Sequence, residues 1–400
     1  MAIQSFTFAA ALYWKLVVAA EDPTSPPSLA TTLASLRKTL RRLRPTWASE
    51  LERQQTLMDL LSSLAAEIKA LSARRPKKIE FLRSLLADRS GKYRDLGSFP
   101  PLALPPLLPL DQRVVGVRAA TATVFKSAMQ PIGLDLLVVR EGETPDDDTV
   151  SPFAIIYKTG DDLRQDAFIV SAITVFDSLL RGQQYDLRLT PYVVLPTRLT
   201  EGIVERVPSS RALASVLREH DNDLGAALGT VASARESFLK SCAGYSVLTY
   251  IFGVGDRHLD NLLLREDGRL FHIDFGFILG ADPKPFPPPL KLTKEMVEAM
   301  GGAQSAAYSE FKSHCCEAYN IAREQAPLIL TMVGGLVDSS LPDIASQRDT
   351  AVLRVHEKLN LELATEEADL AFQALINEAV SALFPVMVEI THRLAQYVRS

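Results

Sequence analysis

Residues 252–276 carry the sequence FGVGDRHLDNLLLREDGRLFHIDFG, and the fold of the chain can be inferred from this stretch. Two short apolar runs, residues 262–264 and 270–273, flank a Glu-Asp-Gly turn, and this pattern predicts a β-hairpin. A polar loop with an aspartate and an asparagine precedes the hairpin, and an Asp-Phe-Gly sequence follows it. Metal ions that bridge nucleotide phosphates are held by oxygen ligands from neighbouring segments of this kind. The stretch therefore predicts a phosphoryl-transfer site.

The spacing of the polar residues makes this prediction more specific. Asp256 and Asn261 are five residues apart, and Asp274 follows 13 residues after Asn261. Protein kinases use the same spacing between the aspartate that accepts the substrate proton and the asparagine that binds metal. Here the histidine follows the aspartate, as Asp256-Arg257-His258. We predict Asp256, Arg257, His258, Asn261 and Asp274 as catalytic residues, with Asn261 and Asp274 as the metal ligands.

Two residues of this loop are candidates for the general base. A histidine can accept a hydroxyl proton near neutral pH, which favours His258, and Asp256 can share this role. Arg257 is predicted to anchor the loop. His272, on the strand before Asp274, is predicted to be buried and structural, because a zinc site made from the two histidines lacks companion ligands.

The bulk properties of the chain exclude several classes of protein. Of its 400 residues, 47% are hydrophobic and 23% are charged, which is typical of a globular chain with two or three domains. The net charge of −5 gives no global indication of nucleic-acid binding. The three cysteines form no disulfide framework and favour a reducing cytosol. No uncharged apolar run approaches the roughly 20 residues that span a bilayer, so any membrane contact is expected to be peripheral.

The first part of the chain is predicted to be helical, and a connector follows it. Leucine recurs at helical spacing through residues 1–98, and its apolar start predicts a packed helix more than a signal peptide. Basic residues between the leucines form either a solvated face or a surface for an anionic membrane or acidic partner. These residues are Arg37, Lys38, Arg41, Arg42, Arg44, Arg74, Arg75, Lys77 and Lys78. Residues 99–112 contain five prolines, which predicts a stiff connector and a domain boundary.

The pattern of apolar residues changes after the connector. Residues 113–207 contain short β-rich runs, and residues 208–400 are mostly helical in pattern apart from the hairpin and a proline-rich loop. The predicted β-runs are 114–117, 121–125, 134–139 and 153–157. A small β-rich lobe followed by a large helical lobe predicts an α+β, bilobal protein-kinase-like fold, preceded by an α-helical region.

The inverted Asp-Arg-His order resembles the phosphatidylinositol 3-kinase superfamily, and the resemblance covers about residues 110–400. Residues 158–166, KTGDDLRQD, resemble the family's ATP-lysine segment, and residues 240–245, KSCAGY, resemble the helix before its catalytic loop. Residues 282–292, DPKPFPPPLKL, and 294–298, KEMVE, resemble the class III enzymes in particular. The N-terminal helices resemble the end of the family's helical domain. The family's C2 domain has no counterpart here, so a fragment or a truncated form is expected.

The resemblance implies a nucleotide site in the small lobe, with ATP and Mg²⁺ or Mn²⁺ as cofactors. Lys158 would bind the α-phosphate, and Asp166 would orient Lys158. No glycine-rich sequence is present, and residues 125–131, FKSAMQP, match the family's phosphate loop. There Ser127 and backbone N–H groups would cover the phosphates. The residues implied for the adenine pocket are Tyr192, Gly202, Ile203 and Val204.

The resemblance also implies phosphatidylinositol as the substrate, phosphorylated at its 3-hydroxyl. The loop after the Asp-Phe-Gly, here called the activation loop, carries Lys284 and Lys291, which would contact a headgroup with a single phosphodiester. Ala281 stands where class III enzymes often have arginine, and Val398 replaces an expected tryptophan, which predicts weaker membrane contact. The implied partner is a protein-kinase-like regulatory subunit in endosomal or autophagic complexes. The implied location is the cytoplasm, with peripheral contact to those membranes.

Two alternative functions remain open on the sequence. One is a serine/threonine protein kinase of the same superfamily, although the N-terminal region and the short activation loop fit that class poorly. The other is a non-catalytic assembly fragment that keeps the motifs but lacks the domains that make them active.

Overall fold

The computed structural model describes residues 4–146, 149–284, 287–348 and 350–383. The described residues divide into two compact units. The first unit lies within Met1–Ala167 and Tyr192–Pro208, and the second within Phe168–Pro191 and Ser209–Ser400. Sheets and many helices are both present, so the predicted α+β class is confirmed.

Five helices open the first unit. They are α1 (Phe6–Glu21), α2 (Ser28–Leu43), α3 (Pro45–Ala70), α4 (Arg75–Ala87) and α5 (Arg94–Gly97). The leucines at helical spacing form the buried face, with Leu57, Leu61 and Leu64 all buried. The apolar start is a packed helix, since Trp14 is buried and donates a 2.9 Å hydrogen bond to Gln54 Oε1. In the described part of the chain, no helix is both long and apolar enough to cross a membrane.

The proline-rich segment is packed into this unit. Its buried residues are Leu102, Ala103, Leu104, Leu107 and Leu108, and they share one apolar core with the helices and the sheet. Leu102 also pairs with Val114 in an antiparallel bridge. The prolines end the helical region, but the leucines between them still gain free energy by burial. The segment is thus packed against both the helices and the sheet, and the division into 1–98, 99–112, 113–207 and 208–400 stays a prediction.

The sheet of the first unit has five antiparallel strands. They are β1 (Gln112–Val124), β2 (Ile132–Arg140), β3 (Ser151–Thr159), β4 (Val194–Arg198) and β5 (Glu201–Glu205). Their order is β1-β2-β3-β5-β4. Two separate strands were predicted where β1 lies, and a register shift between Arg118 and Thr123 explains the interruption in the pattern. Lys158 of β3 is the register partner of Gly202 of β5.

The second unit is mainly helical and contains the hairpin. Helix α6 (Arg164–Gly182) begins in the first unit and continues in the second. The elements that follow the first sheet are β6 (Ser210–Ala212), α7 (Leu213–Glu219), α8 (Leu224–Leu228), α9 (Ala232–Ile251), β7 (Leu262–Arg265), β8 (Leu270–His272), α10 (Lys294–Ala299), α11 (Ala306–Glu324), α12 (Ala326–Gly334), α13 (Pro342–Ala345), α14 (Ala351–Leu359) and α15 (Thr365–Leu383). Strands β6, β7 and β8 form an antiparallel sheet, which confirms the predicted hairpin. The amphipathic pattern predicted beyond Leu383, including Val398, lies outside the described residues.

Candidate active site

The catalytic loop, residues 252–261, begins where the buried helix α9 ends. It pairs with the segment after the Asp-Phe-Gly through backbone hydrogen bonds. Leu279 N donates to Phe252 O at 2.7 Å, and Gly255 N donates to Phe277 O at 2.9 Å. Gly255 permits this approach, because a Cβ there would lie only 2.1 Å from Ala281 O. The Gly-x-Gly turn therefore brings the two candidate metal-ligand segments side by side.

Asn261 is held in one orientation by the loop that precedes it. It is buried, and its Nδ2 donates a 3.0 Å hydrogen bond to Asp256 O. Its backbone N–H donates to His258 O at 2.9 Å, and its carbonyl accepts from Ile273 N at 3.0 Å. With Nδ2 used in this way, the side-chain oxygen is the atom that a hard cation would coordinate.

Arg257 joins the catalytic loop to Asp274. Its Nε donates to Gly255 O at 2.8 Å, its Nη1 donates to Ile273 O at 2.6 Å, and its Nη2 donates to Asp274 O. The guanidinium also lies over the Phe275 ring, 5.5 Å from its centroid. A guanidinium keeps its charge at all ordinary pH values and offers donors in a fixed geometry. Arg257 therefore fixes the backbone on both sides of Asp274, as the predicted anchor would.

Asp256 and His258 are adjacent and accessible. The distance from His258 Nε2 to Asp256 Oδ2 is 3.9 Å, which is longer than a hydrogen bond. The His258 side chain is 47% exposed, so a substrate hydroxyl can reach it. Asp256 and Asp274 both have left-handed backbones, with φ of 48° and 61°. Positive φ angles are uncommon in residues other than glycine, and those that occur cluster at functional sites.

His272 lies apart from this chemistry. It is buried, as predicted, and its ring stacks on Tyr245 with centroids 5.0 Å apart. Burial, with a smaller effect of Arg257, moves the pKa of His272 well below its ordinary value, so the ring is neutral. In the described part of the chain, no group of three or more His, Cys, Asp or Glu side chains could hold a metal ion.

The two lysines predicted to contact substrate have different environments. Lys284 is exposed. Lys291 is not, because its Nζ lies 3.1 Å from Asp282 Oδ2 and only 10% of its side chain is accessible. Asp282 also accepts a 3.2 Å hydrogen bond from Asp256 N. Lys291 is thus part of an internal ion pair that neutralises its charge and ties the activation loop to the catalytic loop, and its contact with substrate stays a prediction.

The environment of Asp282 keeps that pair ionised. Burial raises the pKa of the Asp282 carboxyl, but the hydrogen bond from Lys284 N and the attraction of Lys291 outweigh it. The net effect lowers the pKa below its ordinary value. In the sequence near Asp282, only the downstream lysines indicated that this aspartate forms an ion pair.

The residues predicted for the nucleotide lie on the first unit. Lys158 Nζ is 3.6 Å from Asp161 Oδ2, and Asp166 lies in the first turn of α6. Ser127 is exposed in the loop between β1 and β2, where its Oγ accepts a hydrogen bond from Met129 N at 3.3 Å. Tyr192 is buried just before β4. The remaining adenine-pocket residues, Gly202, Ile203 and Val204, lie on β5. Their roles and the hinge register stay predictions.

Residues far along the chain hold the segments on either side of the catalytic loop, and the sequence did not indicate them. They belong to α13 and α14 and bind backbone groups of residues 250–279. The bonds are Lys358 Nζ to Tyr250 O at 2.7 Å, Arg354 Nη1 to Leu279 O at 2.8 Å, and Ile278 N to Asp343 Oδ2 at 2.8 Å. Such pairs span 65 to 108 residues, so no local pattern could reveal them.

Lys358 predicts a measurable pH dependence of stability. Burial, with repulsion from Lys291 and Arg354, lowers its pKa to about 8, from an ordinary value of 10.5. Between these values the unfolded chain binds more protons than the folded chain, so this group makes the free energy of unfolding rise with pH. Between pH 7 and 9.5, we expect the free energy of unfolding to rise by about 1 to 2 kcal/mol less in Lys358→Met than in wild type.

The measurement is urea unfolding of both proteins at the two pH values. Lys294→Met is the matched control, because that side chain is 55% exposed. An equal pH dependence in wild type and Lys358→Met would contradict the prediction.

Comparisons with known proteins support the resemblance inferred from these residues. A family model described as "Phosphatidylinositol 3- and 4-kinase" matches residues 152–232 and 227–346. The protein is 44% identical, over its whole length, to "Phosphatidylinositol 3-kinase, root isoform" of Glycine max and to "Phosphatidylinositol 3-kinase VPS34" of Arabidopsis thaliana. Over 97% of the chain, it is 40% identical to the Saccharomyces cerevisiae protein of the latter name. The chain spans 50% of each plant relative and 43% of the yeast relative.

Proposed function

We propose that this chain is a phosphatidylinositol 3-kinase of class III type, because it is similar to such enzymes over its whole length, and that it transfers the γ-phosphate of ATP to the 3-hydroxyl of phosphatidylinositol. The observation that carries the proposal is the network in which Arg257 joins the catalytic loop to Asp274. This network supports a site where Asp256, His258 and Asn261 act together with Asp274.

The chemistry of the transfer assigns a role to each side chain. The lipid 3-hydroxyl oxygen forms a bond to the γ-phosphorus while the bond to the bridging oxygen of ADP breaks. The hydroxyl proton passes to His258 or Asp256, which are accessible acceptors of the loop. Asn261 and Asp274 supply oxygen ligands that suit Mg²⁺ or Mn²⁺, and a bound ion would neutralise charge on the phosphates. Lys158 would balance the negative charge of the α-phosphate, and Asp166 would orient Lys158. Ser127 would cover the phosphates.

The activation loop favours a headgroup with little charge. Lys284 is an exposed cation of this loop, whereas the charge of Lys291 is already paired with Asp282. A headgroup with several phosphates would need several cations, but the single phosphodiester of phosphatidylinositol does not. This distribution supports unphosphorylated phosphatidylinositol as the substrate. We further propose peripheral action on endosomal or autophagic membranes, with a protein-kinase-like regulatory subunit as partner.

A kinase assay on a substrate panel tests the proposal. The panel contains vesicles with phosphatidylinositol, vesicles with its 4-phosphate or its 4,5-bisphosphate, and a serine-containing peptide. We expect phosphate on the 3-position of phosphatidylinositol, with turnover on the other substrates at least about tenfold lower. Phosphorylation of the peptide without the lipid would favour the protein-kinase alternative. Equal inactivity of wild type and Asp274→Asn on every substrate, with retained partner binding, would favour an assembly fragment.

A further inference from the structure

Lys78 is a buried lysine in the first turn of α4. The sequence places Lys78 in a basic run, and one prediction was that the side chains of this run are solvated. Instead its Nζ donates three hydrogen bonds inside the first unit. The acceptors are Ile68 O at 2.9 Å, Lys69 O at 3.1 Å and Gln130 Oε1 at 2.7 Å. The next residue back in the chain, Lys77, is exposed.

Two of the three bonds explain how Lys78 stabilises the helices. Helix α3 ends at Ala70, and the carbonyl groups of its last turn lack partners within the helix. Lys78 binds two of these carbonyls, at the end of the helix where a positive charge is favourable. This role alone would make Lys78 a structural cap.

The third bond reaches the proposed phosphate loop, residues 125–131. Gln130 has a left-handed backbone with φ of 51°, and its N–H donates to Ser127 O at 3.2 Å. Phe125 N donates to Pro131 O at 2.9 Å, so the loop is closed on itself. Because the loop is closed, holding the Gln130 side chain also restrains the turn that carries Ser127.

Neighbouring contacts support the loop at both ends. Arg75, also in the first turn of α4, donates from Nε to Val124 O at 2.6 Å, just before the loop. Near the other end, Met129 packs over Gly160, where a Cβ would lie 2.6 Å from Met129 Cε. Gly160 follows the strand that carries Lys158. The loop is thus held between the helical region and the β3 turn.

We propose that Lys78 and Gln130 position the phosphate loop, so that the helical region before the sheet is part of the nucleotide-binding apparatus. The inference rests on the proposed function for the assignment of residues 125–131 to the ATP phosphates. Lys78 and Gln130 are positioning residues, because they act through the loop backbone and Ser127. A loop held in its binding conformation loses less conformational entropy when the nucleotide binds.

The decisive variant is Gln130→Asn. Asparagine tolerates the left-handed backbone at this position, but its amide is one methylene shorter and does not reach Lys78 Nζ. The helix cap stays intact, so stability should change little. We expect the Kd for Mg·ATP, measured by direct binding without lipid, to rise about threefold to tenfold, as for one lost hydrogen bond. Hydrogen exchange of residues 125–131 should become faster.

Lys78→Met and the matched control Lys77→Met complete the experiment. Lys78→Met should weaken Mg·ATP binding as much as Gln130→Asn does, and the double variant should be no weaker than the poorer single variant. Lys77→Met, an identical change at the exposed neighbour, should bind like wild type. If Lys78→Met is also destabilised through the lost cap, the Gln130→Asn result decides the question.

The outcomes separate this inference from the proposed function. Unchanged Mg·ATP affinity in Gln130→Asn, or an equal loss in Lys77→Met, overturns the inference. A wild-type chain that binds Mg·ATP in this pattern but phosphorylates no phosphatidylinositol overturns the proposed function and leaves the inference supported. A wild-type chain that binds no Mg·ATP overturns the inference as well, because there is then no nucleotide site to position.

Discussion

Replacement of Asp274 by asparagine is expected to reduce lipid phosphorylation by roughly a hundredfold or more. The change removes one negative charge and keeps nearly the same shape. Asparagine also suits the left-handed backbone at this residue, φ 61°, where alanine would add strain. The loss should therefore come from weaker metal binding and poorer charge balance in the transition state. The measurement is kcat on phosphatidylinositol vesicles at saturating ATP and metal.

The matched control for this variant is Asp267→Asn, in the hairpin turn between β7 and β8. The Asp267 side chain is 40% exposed and pairs with Arg265 and Arg269 away from the catalytic loop. This control should keep kcat near the wild-type value, and both variants should unfold at the wild-type temperature. An Asp274→Asn protein with more than about a tenth of wild-type kcat would show that this carboxylate is not an essential metal ligand.

Replacement of His258 by glutamine is expected to lower kcat by about a hundredfold or more, with the KM for ATP within about twofold of wild type. The side chain is 47% exposed, so its loss costs little stability. Glutamine can still donate a hydrogen bond but cannot act as a base. The test is steady-state kinetics on phosphatidylinositol, together with thermal unfolding to show that the fold is intact.

Asp256→Asn, measured beside it, divides the role of base between the two side chains. A larger loss in His258→Gln assigns the proton to histidine, and a larger loss in Asp256→Asn assigns it to aspartate. His356→Gln, an exposed histidine of α14, is the control and should behave like wild type. If His258→Gln kept more than half of the wild-type kcat, neither a base nor a phosphate-stabilising role for His258 would survive.

Much of the catalytic loop could be predicted because its information is local. The hairpin strands β7 and β8 form between adjacent apolar runs with a Gly268 turn, and a short loop leaves the chain few other pairings. The five-residue interval from Asp256 to Asn261 likewise spans a loop short enough for Asn261 to reach Asp256 O. Arg257 lies within this loop, so its anchoring role could also be predicted from the sequence.

Other contacts of the site could not be predicted, because their partners are remote in the chain. A lysine in a basic run or on a helix is solvated in most proteins, and composition does not distinguish an exposed one from a buried one. Lys78 and Lys358 are exceptions. Lys78 binds two backbone carbonyl groups in the last turn of α3, and Lys358 binds one in the last turn of α9. The pairing of Lys291 with Asp282 likewise joins residues nine apart in a loop with no regular period.

The sequence was enough to predict phosphoryl transfer, because this chemistry depends on residue types at short fixed intervals within residues 252–276. It also determined the α+β class through the change from helical to β-rich periodicity. Long-range packing was needed to show that the leucines between the prolines are buried and that Lys291 is paired while Lys284 is exposed. It was also needed to show which distant helices hold the phosphate loop and the segments on either side of the catalytic loop. These features depend on where long-range packing places each side chain, and the free energy of such contacts is not recorded in any local pattern.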